Sequence, residues 1–400
     1  MIIYIVNPGD TVDSIASSHG VSAQSIIYNN QLVYPFPLAV GQALLLSEER
    51  NSLPVADNSL GNSTAENSPF PNTTNYPAYV GGYAYPFISR WVLEQTLPYL
   101  SDLFVFSYGF TSEGMLIPPA LDDTFMIDMA KSHGVSPILT LTPFGPTGQF
   151  SNYLISQVVN NETAKQTLIQ NLTAQIQERG FEGVDIDFEY ILPEDKLAFA
   201  DFVRDVRTAI NALGYLVSVA LAPKTSDTQA GLLYEGKDYG LLGDAADYVL
   251  LMTYEWGYTY GPPMAVAPLN KVRQVVEYAL TKIPSEKIHL GIPNYGYDWT
   301  LPFVQGNSKA ATIGNVQAVQ IAISQGSSIQ FDEIAMSPYF TYVEEGLTHE
   351  VWFEDVRSLS AKFGLVKEYQ LRGMSYWQVT QLFRANWLLL AGTFTILQDR

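Results

Sequence analysis

Three carboxylates alternate along one short segment of the chain. Asp185, Asp187 and Glu189 stand two residues apart within the stretch Glu-Gly-Val-Asp-Ile-Asp-Phe-Glu-Tyr at 182–190. Side chains alternate between the two faces of a β-strand, so these three would share one face at intervals of about 6.6 Å. Like charges at this spacing raise at least one pKa, which a general acid needs near neutral pH. The spacing therefore predicts general acid–base chemistry.

The apolar residues of the same segment indicate where the carboxylates face. Val184, Ile186 and Phe188 share the opposite face, which is the face that would pack on helices if the strand belonged to a barrel. Glu189 would then lie at the C-terminal end of its strand, where barrels hold their active sites. The alternatives are an exposed acidic strand, which conflicts with the apolar face, and a metal-binding face. Only four histidines are present, and they are scattered, so we expect no metal or other cofactor.

The elements that must position this segment follow from residues 76–400. Apolar runs alternate there with helical stretches such as Thr163–Arg179, and such runs are typical of strands covered on both faces. The pattern predicts an α/β fold, a (β/α)8 TIM barrel, with a doubly wound sheet as the alternative. The longest gap, between the seventh and eighth strands, predicts a small α+β insertion at about 300–368. The predicted strands are Tyr79–Tyr83, Leu103–Ser107, Pro137–Leu141, Gly183–Phe188, Leu216–Leu221, Tyr248–Thr253, Ile288–Pro293 and Gly373–Trp377.

Two further segments precede the barrel. Residues 1–47 combine short apolar runs with turn residues and two capped helical patterns, which predicts a small βααβ domain. Residues 48–75 are rich in Asn, Ser, Thr and Pro and have few large apolar side chains, so they are expected to form a flexible linker.

Composition excludes several classes of function. Of 400 residues, 47% are hydrophobic and 15% charged, which suits a large core. The net charge of −19, without a basic patch, argues against a nucleic-acid partner. The absence of cysteine excludes disulfides and thiolate chemistry. No apolar run suits a membrane helix, and the N-terminus does not suit a signal peptide, so we expect a soluble monomer without a membrane partner or secretory signal.

The acidic segment resembles the DGxDxDxE signature of glycoside hydrolase family 18, and it departs only at Glu182, where the signature has Asp. More of the family pattern follows in order. The stretch 251–255 (Leu-Met-Thr-Tyr-Glu) resembles the Met-x-Tyr element of the sixth strand, 291–296 (Gly-Ile-Pro-Asn-Tyr-Gly) the seventh, and 373–377 (Gly-Met-Ser-Tyr-Trp) the eighth. The resemblance covers about residues 76–395.

This resemblance implies a retaining mechanism in which the 2-acetamido oxygen of the substrate attacks the sugar, an exception to the scheme with two acting carboxylates. Glu189 would protonate the glycosidic oxygen and then serve as base. Asp187 would accept the acetamido N–H, with Asp185 behind it. Tyr254 would hold the acetamido oxygen, and Trp377 would stack under the sugar ring.

Other substrate contacts are expected near the strand ends, although each aromatic there could equally be loop packing. The candidates are Met252, Glu255, Trp256, Asn294, Tyr295 and Tyr108.

Residues 1–47 resemble a LysM module, which implies binding to glycans that contain N-acetylglucosamine. The resemblance rests on the stretch 4–12 (Tyr-Ile-Val-Asn-Pro-Gly-Asp-Thr-Val), on Asn29 and Asn30, and on the stretch 40–44 (Val-Gly-Gln-Ala-Leu). The glycan groove would lie between the loop of Gly9, Asp10 and Thr11 and the segment from residue 27 to about residue 32, in which Asn29 and Asn30 are the expected contacts. A structural cap on the barrel is the alternative. On a flexible linker, the module would raise the local concentration of enzyme on a polymeric wall.

Two departures narrow the expected substrate. Glu255 follows Tyr254 where chitinases of the family carry Asp, and the third strand ends in Thr-Leu-Thr-Pro-Phe-Gly at 140–145 rather than Ser-x-Gly-Gly. The LysM module, the lack of a signal peptide and of cysteine, and the stretches 254–258 (Tyr-Glu-Trp-Gly-Tyr) and 349–355 (His-Glu-Val-Trp-Phe-Glu-Asp) together resemble the N-acetylglucosaminidases that act on spore cortex peptidoglycan. The expected location is the spore cortex, the coat or the cell wall of a spore-forming bacterium. A chitinase or chitooligosaccharide hydrolase and a non-catalytic glycan-binding coat protein remain the alternatives.

Overall fold

A computed structural model describes residues 1–47, 75–145, 148 and 150–398. The predicted linker, 48–75, lies outside these residues except for Asn75. In the part of the chain that the structure describes, no helix is long and apolar enough to cross a membrane.

The first 47 residues form a small two-layer unit. It consists of β1 (Ile2–Ile5), α1 (Val12–His19), α2 (Ala23–Asn29) and β2 (Ala43–Leu46), and the two strands pair antiparallel. Thr11 begins α1 with a capping box, since its side chain accepts from Ser14 N and Ser14 Oγ accepts from Thr11 N. The apolar faces of both helices close over the strands. The observed order is the predicted β-α-α-β.

The rest of the described chain contains fifteen further strands. They are β3 (Tyr76–Ala84), β4 (Asp102–Phe110), β5 (Leu116–Ile117), β6 (Ser136–Leu141), β7 (Gly183–Ile186), β8 (Leu216–Leu221), β9 (Tyr248–Leu251), β10 (Ile288–Pro293), β11 (Gly296–Thr300), β12 (Ala311–Ile313), β13 (Gln330–Asp332), β14 (Ser337–Glu344), β15 (Leu347–Trp352), β16 (Gly373–Trp377) and β17 (Phe394–Ile396).

The remaining α-helices connect these strands. They are α3 (Arg90–Thr96), α4 (Thr124–Ser132), α5 (Asn152–Val159), α6 (Glu162–Arg179), α7 (Lys196–Asn211), α8 (Tyr239–Ala245), α9 (Leu269–Leu280), α10 (Asn315–Ser324), α11 (Val356–Glu368) and α12 (Arg384–Thr393).

Eight parallel strands close into a barrel. They pair in the order β3-β4-β6-β7-β8-β9-β10-β16, and β16 pairs with β3 to complete the ring. The core lies between this ring and the surrounding helices, where residues such as Val184, Ile186 and Val219 are fully buried. The prediction of a (β/α)8 barrel is confirmed, and the doubly wound alternative is wrong because the sheet has no open edge between β16 and β3.

The insertion between β10 and β16 is an antiparallel sheet of five strands in the order β12-β11-β15-β14-β13, with α10 beside it. Its sheet begins at Gly296 and ends at Trp352, so its bounds differ from the predicted 300–368. The difference at the C-terminal end has a clear cause. Helix α11 buries Leu359, Phe363 and Val366 at helical spacing and packs on α9, α12 and β10, as a helix of the barrel's outer ring.

The N-terminal unit is seated directly on the barrel and its insertion. Ile329 N donates to Val40 O at 2.8 Å, and the Arg357 guanidinium donates to Gly41 O at 3.2 Å. On the other side, Arg384 lies 3.9 Å above the ring of Tyr28 and donates to Tyr28 O at 3.1 Å. Gly41 has a φ of 83°, and a Cβ there would lie 1.9 Å from Ile329 O, so this approach requires glycine. The module is therefore docked on the barrel and its insertion, while the expectation of a flexible linker concerns residues outside the described ranges.

Candidate active site

The carboxylate segment begins on β7 and continues past its end. Asp185 lies within the strand, and Asp187 N donates to Leu141 O at 2.9 Å, which keeps the chain extended beyond Ile186. Phe188 is fully buried among Phe110, Phe199 and Phe202 on the helix side. The apolar alternate residues therefore anchor the segment in the core, while Asp187 and Glu189 line a cleft at the C-terminal end of the barrel.

Asp185 is fully buried beneath the cleft and is held from two neighbouring strands. Tyr83 OH on β3 donates to it at 2.8 Å, and Ser218 Oγ on β8 donates to it at 2.7 Å. Burial raises the pKa of Asp185 to about 6, and the two hydrogen bonds oppose that rise. Asp185 is therefore poised to change its charge just below neutral pH.

Asp187 and Glu189 form an acidic pair above it. Asp187 is 6% exposed, and its Oδ1 has no hydrogen-bond partner. Burial, followed by the charges of Glu189 and Asp185, raises the pKa of Asp187 well above its ordinary value. Burial also raises the pKa of Glu189, and the charge of Lys237 opposes the rise for both. Such a pair can hold a proton near neutrality, as a general acid must.

The cleft has a volume of about 610 Å³, a size typical of sites for small ligands. Six of the predicted site residues line it: Asp187, Glu189, Met252, Tyr254, Glu255 and Trp377. Trp377 packs among three of the cleft's aromatic side chains, with ring centroids 4.9 Å from Phe106, 5.6 Å from Tyr83 and 5.9 Å from Tyr85. The arrangement offers flat aromatic faces beside carboxylates, which suits a sugar ring.

Tyr254 and Glu255 come from the turn after β9. The pKa of Tyr254 is raised well above its ordinary value by burial and then by Asp187 and Glu189, so its hydroxyl stays protonated and can donate. Glu255 has a φ of 66°, and its carboxylate accepts from the hydroxyls of Tyr295 and Tyr297. Burial raises the pKa of Glu255, while these two hydroxyls lower it. Tyr295 therefore orients Glu255 rather than lining the cleft as predicted.

Three other predicted contacts lie away from the cleft. Tyr108 is fully buried, and its hydroxyl donates to Asp123 at 2.7 Å on the helix side. The reason is a shift in the β4–β6 register between Val105 and Tyr108, which breaks the alternation that keeps Phe106 in the cleft. The Asn294 amide instead ties two loops together by donating to Gln378 O and Gln381 O. Trp256 is half-buried and packs on the core.

The predicted glycan residues of the N-terminal unit divide into two groups. Asn29 donates to Ser47 Oγ at 3.2 Å, and Asn30 both donates to Leu45 O and accepts from Leu45 N. These two side chains hold the unit together internally, so their amides are already engaged. The loop of Gly9, Asp10 and Thr11 stays at the surface, where Thr11 caps α1.

Sequence reasoning missed several residues of the site. The cleft also contains aromatic side chains from β3, from β4 and from loops, namely Tyr83, Tyr85, Phe106, Phe144, Phe150, Tyr190 and Tyr234. Ser218 was detectable in principle, because the period of two along β8 turns it inward beside Asp185. Lys237, which is fully buried near the carboxylates, lies in a loop and carries no periodic signal. No group of three or more metal-binding side chains occurs within the described ranges.

Comparison with known proteins identifies the family. The sequence model for Glycosyl hydrolases family 18 matches residues 140–381, and that for the LysM domain matches residues 4–47. The chain belongs to glycosyl hydrolase family 18. The family 18 match includes Asp185, the three carboxyl residues that line the cleft and Trp377, but it leaves the aromatic residues of β3 and β4 outside.

Relatives and solved structures agree with this assignment to family 18. The chain is 42% identical over 306 residues to the cortical fragment-lytic enzyme of Bacillus subtilis (strain 168), covering 76% of this chain and 70% of the relative. It is 35% identical to the cortical fragment-lytic enzyme of Bacillus cereus, covering 98% of each. The crystal structure of the Bacillus megaterium QM B1551 spore cortex-lytic enzyme SleL superimposes with a TM-score of 0.90 at 35% identity, covering 100% of this chain and 99% of that one. This chain is therefore a glycoside hydrolase with an N-terminal LysM domain.

Proposed function

We propose that this family 18 enzyme cleaves β-1,4 bonds after N-acetylglucosamine in spore cortex peptidoglycan, with retention of configuration and with the substrate's acetamido group as nucleophile. The observation that carries the proposal is the acidic pair at the base of the aromatic cleft. Asp187 there has a free buried oxygen and a raised pKa, beside Glu189. In this pair Glu189 supplies the proton and Asp187 accepts a hydrogen bond, so the attack on the sugar falls to a group of the substrate.

The chemistry proceeds in two steps. Glu189 gives its proton to the glycosidic oxygen as the C1–O bond breaks, and the acetamido oxygen bonds to C1. Asp187 accepts the acetamido N–H through its free Oδ1, and the Tyr254 hydroxyl donates to the acetamido oxygen. Glu189, now ionised, takes a proton from water as that water attacks C1 and the C1–O bond of the ring intermediate breaks. Attack from opposite faces in succession returns the original configuration.

Support for the substrate comes from the relatives and from the LysM domain. The Bacillus relatives are named cortical fragment-lytic enzymes, and LysM domains act as modules for N-acetylglucosamine polymers. We propose the spore cortex or the adjoining coat and cell wall as the place of action. We propose that the enzyme acts as a monomer and needs no cofactor, because Glu189 supplies the acid and the base and the substrate supplies the nucleophile.

The test is digestion of purified cortex peptidoglycan, followed by borohydride reduction and mass spectrometry. We expect reduced N-acetylglucosamine at the new ends, and none with Glu189→Gln. Proton NMR during digestion should show the β-anomer first. New ends in muramic acid, or an α-anomer first, would overturn the proposal. Chitooligosaccharides form the comparison arm, since their faster cleavage with intact cortex would favour a chitinase.

A further inference from the structure

In the described part of the barrel, one buried lysine has fewer hydrogen-bond acceptors around its ammonium than the ammonium has N–H donors. Lys237 is fully buried, and its ammonium donates to Ala220 O at 3.3 Å. Its own backbone carbonyl accepts from Lys224 Nζ at 2.9 Å. An ammonium has three N–H donors, and burying a charge with so little compensation is costly. A residue kept at such a cost calls for a reason other than stability.

The strand register places this ammonium beside the acidic pair. Parallel β7 and β8 pair Asp185 with Ser218 and Ile186 with Val219, so Ala220 follows at the level of Asp187. Adjacent strands lie about 4.8 Å apart, and Ala220 itself lines the cleft. Lys237, bound to the Ala220 carbonyl, therefore stands near Asp187, whose Oδ1 lacks a partner.

We propose that Lys237 is a positioning residue of the hydrolytic site, whose buried positive charge keeps one negative charge on the pair formed by Asp187 and Glu189. The inference rests on the proposed function, which needs this pair to carry one proton. With two protons, both carboxyls are neutral and neither offers a charge to the developing cation. With none, Glu189 has no proton for the leaving oxygen.

The electrostatics of the surrounding elements agree with this role. The charge of Lys237 lowers the pKa of both Asp187 and Glu189, against burial, and it is the one cation in the described part of the chain that does so. Burial lowers the pKa of Lys237 to about 8, and the two carboxylates oppose that fall. In the described part of the chain, the other titratable groups that face the pair are all acids: Asp185 from β7, Tyr190 beside Glu189, Tyr83 and Tyr85 from β3 and its end, and Tyr254 and Glu255 after β9.

The first experiment compares pH profiles of kcat/KM on soluble cortex fragments. Lys237→Gln keeps a donor for Ala220 O but loses the charge, so we expect the acidic limb to move up by about one pH unit. Lys237→Arg keeps the charge and should retain the wild-type limb. Lys287→Gln is the control: it removes a half-buried lysine whose ammonium donates to Gly243 O and Ala246 O and whose charge does not act on the pair. A Lys237→Gln profile that coincides with wild type, or an equal shift in Lys287→Gln, would refute the role.

A second measurement needs neither a folded variant of Lys237 nor any substrate. In wild-type protein labelled with 13C at Asp and Glu carboxyls, the signals of Asp187 and Glu189 should show an inflection near pH 8, where Lys237 loses its charge. Asp187→Asn and Glu189→Gln assign the two signals. Flat signals through that range would refute the coupling. Because no glycan is present, failure of the proposed substrate leaves this result standing, so the two failures are distinguishable.

Discussion

The burial of Asp185 predicts how the free energy of unfolding depends on pH. The side chain is fully buried, it accepts hydrogen bonds from Tyr83 and Ser218, and burial raises its pKa to about 6. The change we consider is Asp185→Asn, which preserves shape and removes the charge. One hydroxyl can keep donating to the amide oxygen, and the other can rotate to accept from the amide nitrogen, so the side chain should stay in place.

The magnitude follows from linkage between protonation and folding. The folded pKa of about 6 lies roughly two units above the ordinary value of 3.8. Between those two pH values the folded state holds the proton while the unfolded state has lost it, so wild-type stability falls as the pH rises. At about 1.36 kcal/mol per unit, ionised Asp185 costs roughly 3 kcal/mol above pH 6. The cost is absent below pH 4 and absent from Asp185→Asn at every pH.

The assay is urea unfolding of both proteins at pH 4 and at pH 7. We expect the free energy of unfolding of Asp185→Asn, relative to wild type, to rise by roughly 3 kcal/mol between the two pH values. Whatever the new amide gains or loses in hydrogen bonding is common to both pH values and cancels in this comparison. The charge of Asp185 also raises the pKa of Asp187. The acidic limb of kcat/KM should therefore move to lower pH in the variant.

A relative stability that is the same at pH 4 and pH 7 would refute the reasoning, because it would mean that Asp185 titrates alike in the folded and unfolded states. A change of the opposite sign would mean that the two hydroxyls outweigh burial and hold the pKa below its ordinary value. Ser218→Ala is the companion variant. Losing one hydrogen bond to the charged form should raise the pKa of Asp185 by about one unit. The free energy of unfolding should then keep falling with rising pH over about one further pH unit.

Three further predictions test other parts of the molecule. Glu189→Gln should lower kcat by roughly 10²–10⁴-fold in reducing-end assays while binding to cortex in pull-down assays persists; retained turnover would place the acid elsewhere. Tyr254→Phe should lower kcat by roughly 10²-fold with little change in KM, and a loss confined to KM would contradict a role in holding the acetamido oxygen. Arg384→Ala removes the guanidinium from the Tyr28 ring and carbonyl, so amide exchange around residues 28–31 should quicken by about tenfold, with cleavage of soluble fragments as the unchanged control.

The barrel was predictable because its signals are local and repeated. Apolar runs such as 216–221 and 248–251 are covered on both faces, and their alternation with helices has few other solutions. The alternation in 184–189 likewise predicted which side chains face inward, and the structure brings Asp187 and Glu189 into the cleft. Signals of this kind depend on a period that neighbouring residues share.

Tyr108 and Lys237 show where such reasoning fails. A shift of register between Val105 and Tyr108 reverses the face of Tyr108, and nothing in the local composition marks the shift. Lys237 reaches the site from a loop after β8, where no period applies. The prediction of where the insertion ends was wrong for a third reason. The apolar face of α11 fits either a subdomain or the outer ring of the barrel, and only its contacts with α9 and α12 decide between them.

The charge balance of the cleft connects these observations to the direction of catalysis. Burial raises the pKa values of Asp185, Asp187, Glu189 and Glu255. The positive charge of Lys237 lowers the pKa values of Asp187 and Glu189 and so opposes that rise. A neutral sugar entering the cleft gains little from the remaining negative charge. The cation that develops at C1 as the glycosidic bond breaks gains much more, because opposite charges attract strongly where burial has lowered the screening by water. Only interactions that strengthen in the transition state raise kcat. An acidic cluster that is costly to the folded protein therefore favours the step that the proposed mechanism requires.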